Sequence, residues 1–491
     1  MRAIDYLETR DDIDGSRIGC TGNSGGGTLT AYLMALDDRI VAAAPVCYLT
    51  TFRRLIDTRG AQDAEQNLFG QIAFGMDEPD YVLMRAAEAD ADFAGRRDVT
   101  FDIDGTWDLF RQSKAFYSRL GYPERVDLHD ADLPHGFYLQ QREAAARWMH
   151  RWLLGSDKPI FEIDPQSLPD PASDQELREL SEGDWPQEQL YCTPDGQALL
   201  LPDEKSVFQI NAEQDMQLRT QRKAAWRRLD DSGRRALVRR TMVGMNASAS
   251  RSSNAETMPH ESVGVVKRDG YTIEKLILNV EPGIRLPALA LVPDRPNGDA
   301  TLYLHGEGMQ VDAGTGGAIE RLVKAGQIVL AAELRGIGET ETGHDKSDYG
   351  RGHFGRDVQE IFLAYLIGRS YVGMRANDTI AWTHFLKQYR KAKGVQPDAE
   401  SSALHLVAVG EAAIPALHAA AIEPEHYSTL RLRNMIRSWS EVVKSPGSLN
   451  QAVNVVHGAL QHYDLPELIE LVGEASVTVD EPVDVFGKAI E

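Results

Sequence analysis

The stretch that most constrains this chain is "IGCTGNSGGG", residues 18–27, set between a β-prone run and an apolar helix. Arg17 to Thr21 is short and β-prone, Gly22-Asn23-Ser24-Gly25-Gly26 fits G-x-S-x-G, and the following "TLTAYLMAL" has the apolar spacing of a helix. That order is strand, sharp turn, helix. A serine at the apex of such a turn takes a strained backbone conformation, so its neighbours must be small enough for strand and helix to pass closely. Gly22, Gly25 and Gly26 are expected to supply that room. A plain Gly-rich turn, or one that binds phosphate, is the bland alternative; the strand-loop-helix setting favours a nucleophilic serine.

A serine hydroxyl attacks poorly until a base takes its proton, and the base needs a carboxylate to hold it. After a turn of this kind the expected chain order is Ser, acid, His. His135, in "DLPHGF", lies in a loop before the helical run "LQQREAAARWMHRWLL". Upstream, "FAGRRDVTFDIDGTWDLFRQSKAFY" offers Asp98, Asp102 and Asp104 between a strand candidate and a helix beginning near Thr106. Asp98 is favoured as the acid because it comes first after the strand end and the Gly95 turn. Asp102 is next in line, although Asp102 and Asp104 suit the cap of the following helix.

Three segments, "RIGCTGNSGGGTLTAYLMALDDRI", "DIDGTWDLFRQSKAFYSRLGYPERVDL" and "PHGF" with "REAAARWMHRWLL", together resemble the acetyl xylan esterase and dienelactone hydrolase-like branch of the α/β-hydrolases. The resemblance runs through residues 1 to 155. It implies Ser24 as nucleophile, Asp98 as acid, His135 as base, the Gly25 amide as an oxyanion donor, and carboxylic esters, including acetylated sugars, as substrates. One departure stands out: "AAEADADFAG" alternates Glu88, Asp90 and Asp92 with Ala89, Ala91 and Phe93, which suits a half-exposed edge strand better than a buried one.

A hydrolase of this class places about four strands ahead of its nucleophile, and the loop after the third normally supplies the second oxyanion amide. Here "MRAIDYLETRDDIDGS" reads as one helix, with Ala3, Ile4 and Leu7 on a common face. Residues 1–155 are therefore expected to be the C-terminal half of a catalytic domain, short of its N-terminal strands. On that reading the chain is a weak or inactive esterase, and a chain extended upstream by those strands is the faster one.

With 52 Lys plus Arg against 74 Asp plus Glu, the formal charge of −22 disfavours nucleic acid and anionic membranes. Neutral ester substrates fit better. No apolar run approaches membrane-spanning length, and no basic segment followed by an apolar core marks a signal peptide. Cys20, Cys47 and Cys192 lack metal spacing, and Cys20 and Cys47 read as buried free thiols. Neither a cofactor nor a metal is expected.

Residues 156–255 read as a linker carrying a small hairpin, "TPDGQALLL", and helices over 211–243 broken at Asp231-Ser-Gly233. "SASRSSNAE" reads as a flexible joint. Residues 256–491 begin with strands "VGVVKRDGYTIEKLILNV" and "RLPALALVP", then alternate strand and helix, as a mostly parallel sheet covered on both faces does. The fold class is thus α/β, with two hydrolase-type domains. In the second, His305-Gly306-Glu307-Gly308 resembles an oxyanion loop, but Glu411 stands where Ser24 would align, and His353, His457 and His462 have no metal-ligand spacing. This domain is expected to be non-catalytic. The function expected is a serine esterase; the alternatives are a peptidase of the prolyl oligopeptidase type and a non-catalytic binding or scaffold protein.

Overall fold

The computed structural model describes all residues except 87, 162–190, 194, 246–257, 343–350, 395–401 and 491. Most of the acidic, proline-bearing stretch after Lys158, and the whole of "SASRSSNAE", lie outside the described residues. The chain divides into two compact units, Met1–Glu204 and Lys205–Glu491.

The first unit is built on four strands, β1 (Ile18–Asn23), β2 (Ile40–Val46), β3 (Ala89–Gly95) and β4 (Val126–Ala131), in that spatial order. Every neighbouring pair is parallel. Parallel neighbours cannot be joined by a tight turn, so each connection crosses over, and helices Gly25–Leu36 and Ile103–Leu120 occupy the first and last crossovers. Strand β2, "IVAAAPV", is short-side-chained along its length. Helix Leu139–Leu154 accordingly lays Ala145 and Trp148 onto Ala42, Ala44, Val46 and Phe93 in one apolar cluster.

Strand β3 corrects the expectation of a half-exposed edge. It lies between β2 and β4, and all seven of its residues are buried. Asp90 Oδ1 and Asp92 Oδ2 have no hydrogen-bond partner among the described residues. Burial pushes the Asp90 carboxyl up to about 7, against the attraction of Arg85, and pushes Asp92 well above the usual range. In both, burial favours the protonated acid over the carboxylate. Their alternation with alanine therefore records two kinds of buried residue, a distinction invisible to a polar/apolar pattern.

Other expectations shift at the same scale. The first helix spans only Arg2–Glu8 and buries Ile4 alone, leaving Ala3 exposed. The expected hairpin is absent among the described residues of 193–201, where Ala198–Leu200 form a 3-10 turn. The two helices placed in the linker are Val207–Trp226 and Asp231–Val243, and they belong to the second unit. Trp226, Val238, Met242 and Val243 enter its core. Buried Arg222 lies 3.7 Å from Asp215 and 3.6 Å from Asp464, and donates to the Leu460 carbonyl at 2.8 Å.

The second unit holds an eight-stranded sheet: β5 (His260–Arg268), β6 (Tyr271–Glu281), β7 (Ile284–Pro293), β8 (Ala300–His305), β9 (Ile328–Ala332), β10 (Leu404–Val409), β11 (Thr429–Arg433) and β12 (Val477–Asp480). Their order is β12-β11-β10-β8-β9-β7-β6-β5. From β5 to β9 the pairings are antiparallel; from β9 to β12 they are parallel. The alternation read from the sequence is thus a mixed sheet, with helix Tyr371–Ala392 packing Trp382, Phe385 and Leu386 into its core.

Candidate active site

Strand β1 ends at Asn23 and the next helix begins at Gly25, which leaves Ser24 alone at the joint with φ 56° and ψ −118°. Its amide donates to the Val46 carbonyl at 2.9 Å, tying the joint to the end of β2. Ser24 is also the N-cap of helix Gly25–Leu36. A serine there ordinarily turns its hydroxyl onto a first-turn amide, yet this one makes no side-chain cap bond. Its positive φ is a conformation that residues with side chains rarely adopt. Gly25 follows as the first helical residue, and its amide is among those of a first helical turn that have no intrahelical acceptor. Partial positive charge gathers at that end of the helix.

Of the three glycines expected to supply room for this turn, Gly22 does so, and Gly27 takes the part expected of Gly25 and Gly26. A Cβ on Gly22 would stand 2.5 Å from the Gly26 carbonyl oxygen, and one on Gly27 would stand 2.7 Å from the Val46 carbonyl oxygen. Gly25 would meet only Glu65 Oε1 at 4.0 Å, and Gly26 would meet nothing. Gly22 and Gly27 are the positions where strand and helix touch.

Asp98 and His135 arrive from the ends of the two following strands. The loop after β3 is stitched to the loop after β4 by backbone bonds, Arg96 to Ala131 at 2.8 Å and Arg97 to Leu133 at 3.0 Å. Gly95 lets them close, since a Cβ there would stand 2.6 Å from the Leu133 carbonyl oxygen. Once the loops are in register, Asp98 Oδ2 and His135 Nδ1 lie 2.7 Å apart. Asp98 Oδ1 accepts from the amides of Thr100 at 2.8 Å and Phe101 at 3.1 Å. The Asp98 side chain is 1% exposed and that of His135 is 31% exposed. The carboxylate is held from within, and the imidazole, stacked on Phe101, faces outward. His135 and Ser24 are not hydrogen-bonded to each other among the described residues. Catalytic hydrogen bonds often tighten only when substrate is bound.

Asp102 is committed elsewhere. Its carboxylate caps helix Ile103–Leu120 through the amides of Asp104 and Gly105 and pairs with Arg54 at 2.9 Å. Asp104 is an exposed first-turn residue that also reaches Arg54, at 3.2 Å.

Cys47 is the residue here that sequence patterning missed. It follows β2 with φ 49°, its thiol lies 3.4 Å from the Gly136 carbonyl, and one donor atom each from Cys47, Asp98 and His135 lie within 4.8 Å of one another. Burial pushes the thiol up to about 11, and the nearby Asp98 charge acts in the same direction. No local spacing signals this, because its neighbours come from loops 50 and 90 residues onward in the chain, at about the distance the parallel order imposes.

The equivalent junction in the second unit is different. After β10 the positive φ, 62°, falls on Gly410, and Glu411 sits in a 3-10 turn ahead of helix Ala413–Ile422. Its carboxylate lies 3.1 Å from Arg356 Nη2 and 3.6 Å from Arg375 Nη1. Gly306 passes close by, where a Cβ would stand 2.6 Å from the Glu411 amide nitrogen.

A family model described as acetyl xylan esterase (AXE1) matches residues 1–80, the stretch that carries β1, the Ser24 joint and β2. Over that stretch the chain is similar to acetyl xylan esterases. Among curated proteins, YtaP of Bacillus subtilis (strain 168), named as a hydrolase, is 24% identical over 157 residues, 31% of this chain and 52% of YtaP. This chain thus spans about half the length of that relative. Among solved structures, an acetyl xylan esterase-type protein of Bacteroides fragilis NCTC 9343 aligns with a TM-score of 0.42 and 14% identity, covering 58% of this chain and 77% of its own. A dienelactone hydrolase of Anabaena variabilis ATCC 29413 aligns with a TM-score of 0.26 and 16% identity, covering 44% and 88%. No helix among the described residues is long and apolar enough to cross a membrane.

Proposed function

We propose that the first unit is a serine hydrolase for carboxylic esters, acetylated carbohydrates among them, and that the second is a non-catalytic, hydrolase-like domain. The observation that carries this reading is the Ser24 joint: a serine with φ 56° at a helix N-cap whose hydroxyl caps nothing. Strain on a non-glycine residue persists only where the surroundings enforce it, and it clusters at functional positions. The family match over residues 1–80 supports the same substrate class.

In this reading Asp98 accepts the His135 Nδ1–H, which fixes the tautomer and leaves Nε2 free to take a proton. As Ser24 Oγ bonds to the acyl carbon, its proton passes to His135 Nε2 and the carbonyl π electrons move onto oxygen. The Gly25 amide at the helix end stabilises that oxyanion. Collapse breaks the bond to the alcohol, which leaves with the proton from His135. Water, deprotonated by His135, then releases the acyl group and regenerates Ser24. Glu411 cannot take the nucleophile's part, because it lacks the hydroxyl and is engaged by two arginines.

The test is labelling with an active-site serine phosphonate, followed by hydrolysis of p-nitrophenyl acetate. One label per chain, lost in Ser24→Ala with an unchanged circular dichroism spectrum, is expected. Labelling that persists in Ser24→Ala would overturn the assignment.

A further inference from the structure

Far from Ser24 in sequence, three metal-type ligands converge in the second unit. His384 lies on helix Tyr371–Ala392, while Glu423 and His426 lie in the segment between helix Ala413–Ile422 and β11. His384 Nε2 is 2.9 Å from Glu423 Oε2, His426 Nε2 is 3.2 Å from the same oxygen, and the two Nε2 atoms are 3.2 Å apart. We propose that His384, Glu423 and His426 form a binding site for one divalent transition-metal ion, with Zn²⁺ as its simplest probe.

Geometry supports this directly. Bonds of about 2.0–2.2 Å to imidazole nitrogen and carboxylate oxygen separate two donors on one ion by about 2.9 Å at right angles and by about 3.4 Å at tetrahedral angles. All three observed separations fall inside that interval. Two imidazoles and one carboxylate are a donor set suited to zinc, iron, copper or nickel rather than to magnesium or calcium. The side chains are 28%, 16% and 13% exposed for His384, His426 and Glu423, sheltered yet reachable. An ion here would clamp the long helix to the chain entering β11.

The surroundings supply both support and opposition. Glu423 Oε1 faces Arg239 at 3.7 Å, which leaves Oε2 as the ligand atom. Lys387 Nζ stands 3.2 Å from His426 Nδ1. A ligating imidazole needs to donate from that nitrogen, usually to a carboxylate, a carbonyl or water, so the exposed Lys387 must swing away when the ion enters. The signal in the sequence was Glu423-x-x-His426, three apart; its third member lies 39 residues upstream of Glu423 and only the fold brings it in.

The full chain, stripped with a chelator and dialysed at neutral pH, should bind one Zn²⁺ in isothermal titration, with a rise in thermal midpoint on adding zinc. Co²⁺ in its place should give visible ligand-field bands. His384→Asn and His426→Asn should each weaken binding by at least about 100-fold and abolish the cobalt bands. Lys387→Gln, whose amide oxygen can accept from Nδ1, should tighten binding several-fold. Absence of bound zinc in the wild-type chain, or binding unchanged in both histidine variants, would overturn the site and leave an ordinary ion-pair cluster. Circular dichroism of each variant separates lost ligation from lost fold.

Discussion

Two strand-to-helix junctions, one in each unit, use nearly the same local architecture to opposite ends. At the first, the positive φ falls on Ser24, a residue with a side chain; at the second it falls on Gly410, likewise the first residue after its strand. Glycine takes that conformation without strain, so nothing at the second junction is held under tension. Glu411 is then free to lie against Arg356 and Arg375 as a structural carboxylate. What separates a candidate nucleophile from a structural turn is therefore which residue bears the strained φ as well as which side chain follows the strand.

The largest expected effect comes from removing the first junction's hydroxyl. Ser24→Ala should lower any p-nitrophenyl acetate hydrolysis by about 10⁴-fold or more with little change in thermal midpoint. The reverse graft is the sharper test: Glu411→Ser should gain no phosphonate label, since its backbone is not in the strained conformation. Labelling of that variant would show the comparison to be wrong. Next, Asp98→Asn should cut the rate by about 10³–10⁴-fold by favouring the wrong tautomer. Asp102→Asn should leave the rate within a few-fold while weakening the helix cap, which a lower thermal midpoint would report. A larger rate loss from Asp102→Asn would transfer the acid's role to it.

The glycines around the turns give smaller, opposed effects. Gly22→Ala drives a Cβ into the Gly26 carbonyl and should cost about 2–3 kcal/mol in urea unfolding, with labelling lost in step. Gly410→Ala meets no atom within 4 Å and should cost only the left-handed backbone penalty, about 1–2 kcal/mol. Gly26→Ala, open and helical, should stay within about 0.5 kcal/mol of the parent. Equal costs at Gly22 and Gly26 would remove the steric account of the first junction.

A pH series probes β3 of the first unit in the same spirit. Folded Asp90 keeps its proton up to about 7, whereas unfolded it ionises near the ordinary value of 3.8. Between those values the folded state binds more protons than the unfolded one, so stability is fully present in acid and falls as pH rises. The loss over that window is on the order of 2–4 kcal/mol, read as a falling urea midpoint from pH 4 to pH 8. Asp90→Asn should make that fall shallower, with the share of Asp92 remaining, and a midpoint that rises with pH in the wild-type chain would contradict the raised, buried acids.

Much of this molecule was legible before any coordinates. The strand-turn-helix at 18–36 and the alternation after residue 260 rest on local pattern, and short-range sterics write that into sequence. Strand β3 departs from its sequence pattern because periodicity sorts residues into polar and apolar, whereas an aspartic acid whose burial favours its protonated form can sit inside. Residues 156–255 read as a linker from their acidic, proline-bearing start, and the arginines of 211–243 as solvated helix faces; Arg222 is instead buried between Asp215 and Asp464.

By itself the sequence determined the element types, the serine at the joint and the absence of a hydroxyl at Glu411, since each depends on residues adjacent in the chain. Only the tertiary structure decided that Gly27, rather than Gly25 or Gly26, joins Gly22 as a contact point, that Cys47 lies beside Asp98 and His135, and that His384 meets Glu423 and His426. Parallel strands place their C-terminal loops side by side while keeping them tens of residues apart in the chain. Contacts between such loops have no spacing to be read, and they appear only once the crossovers have closed.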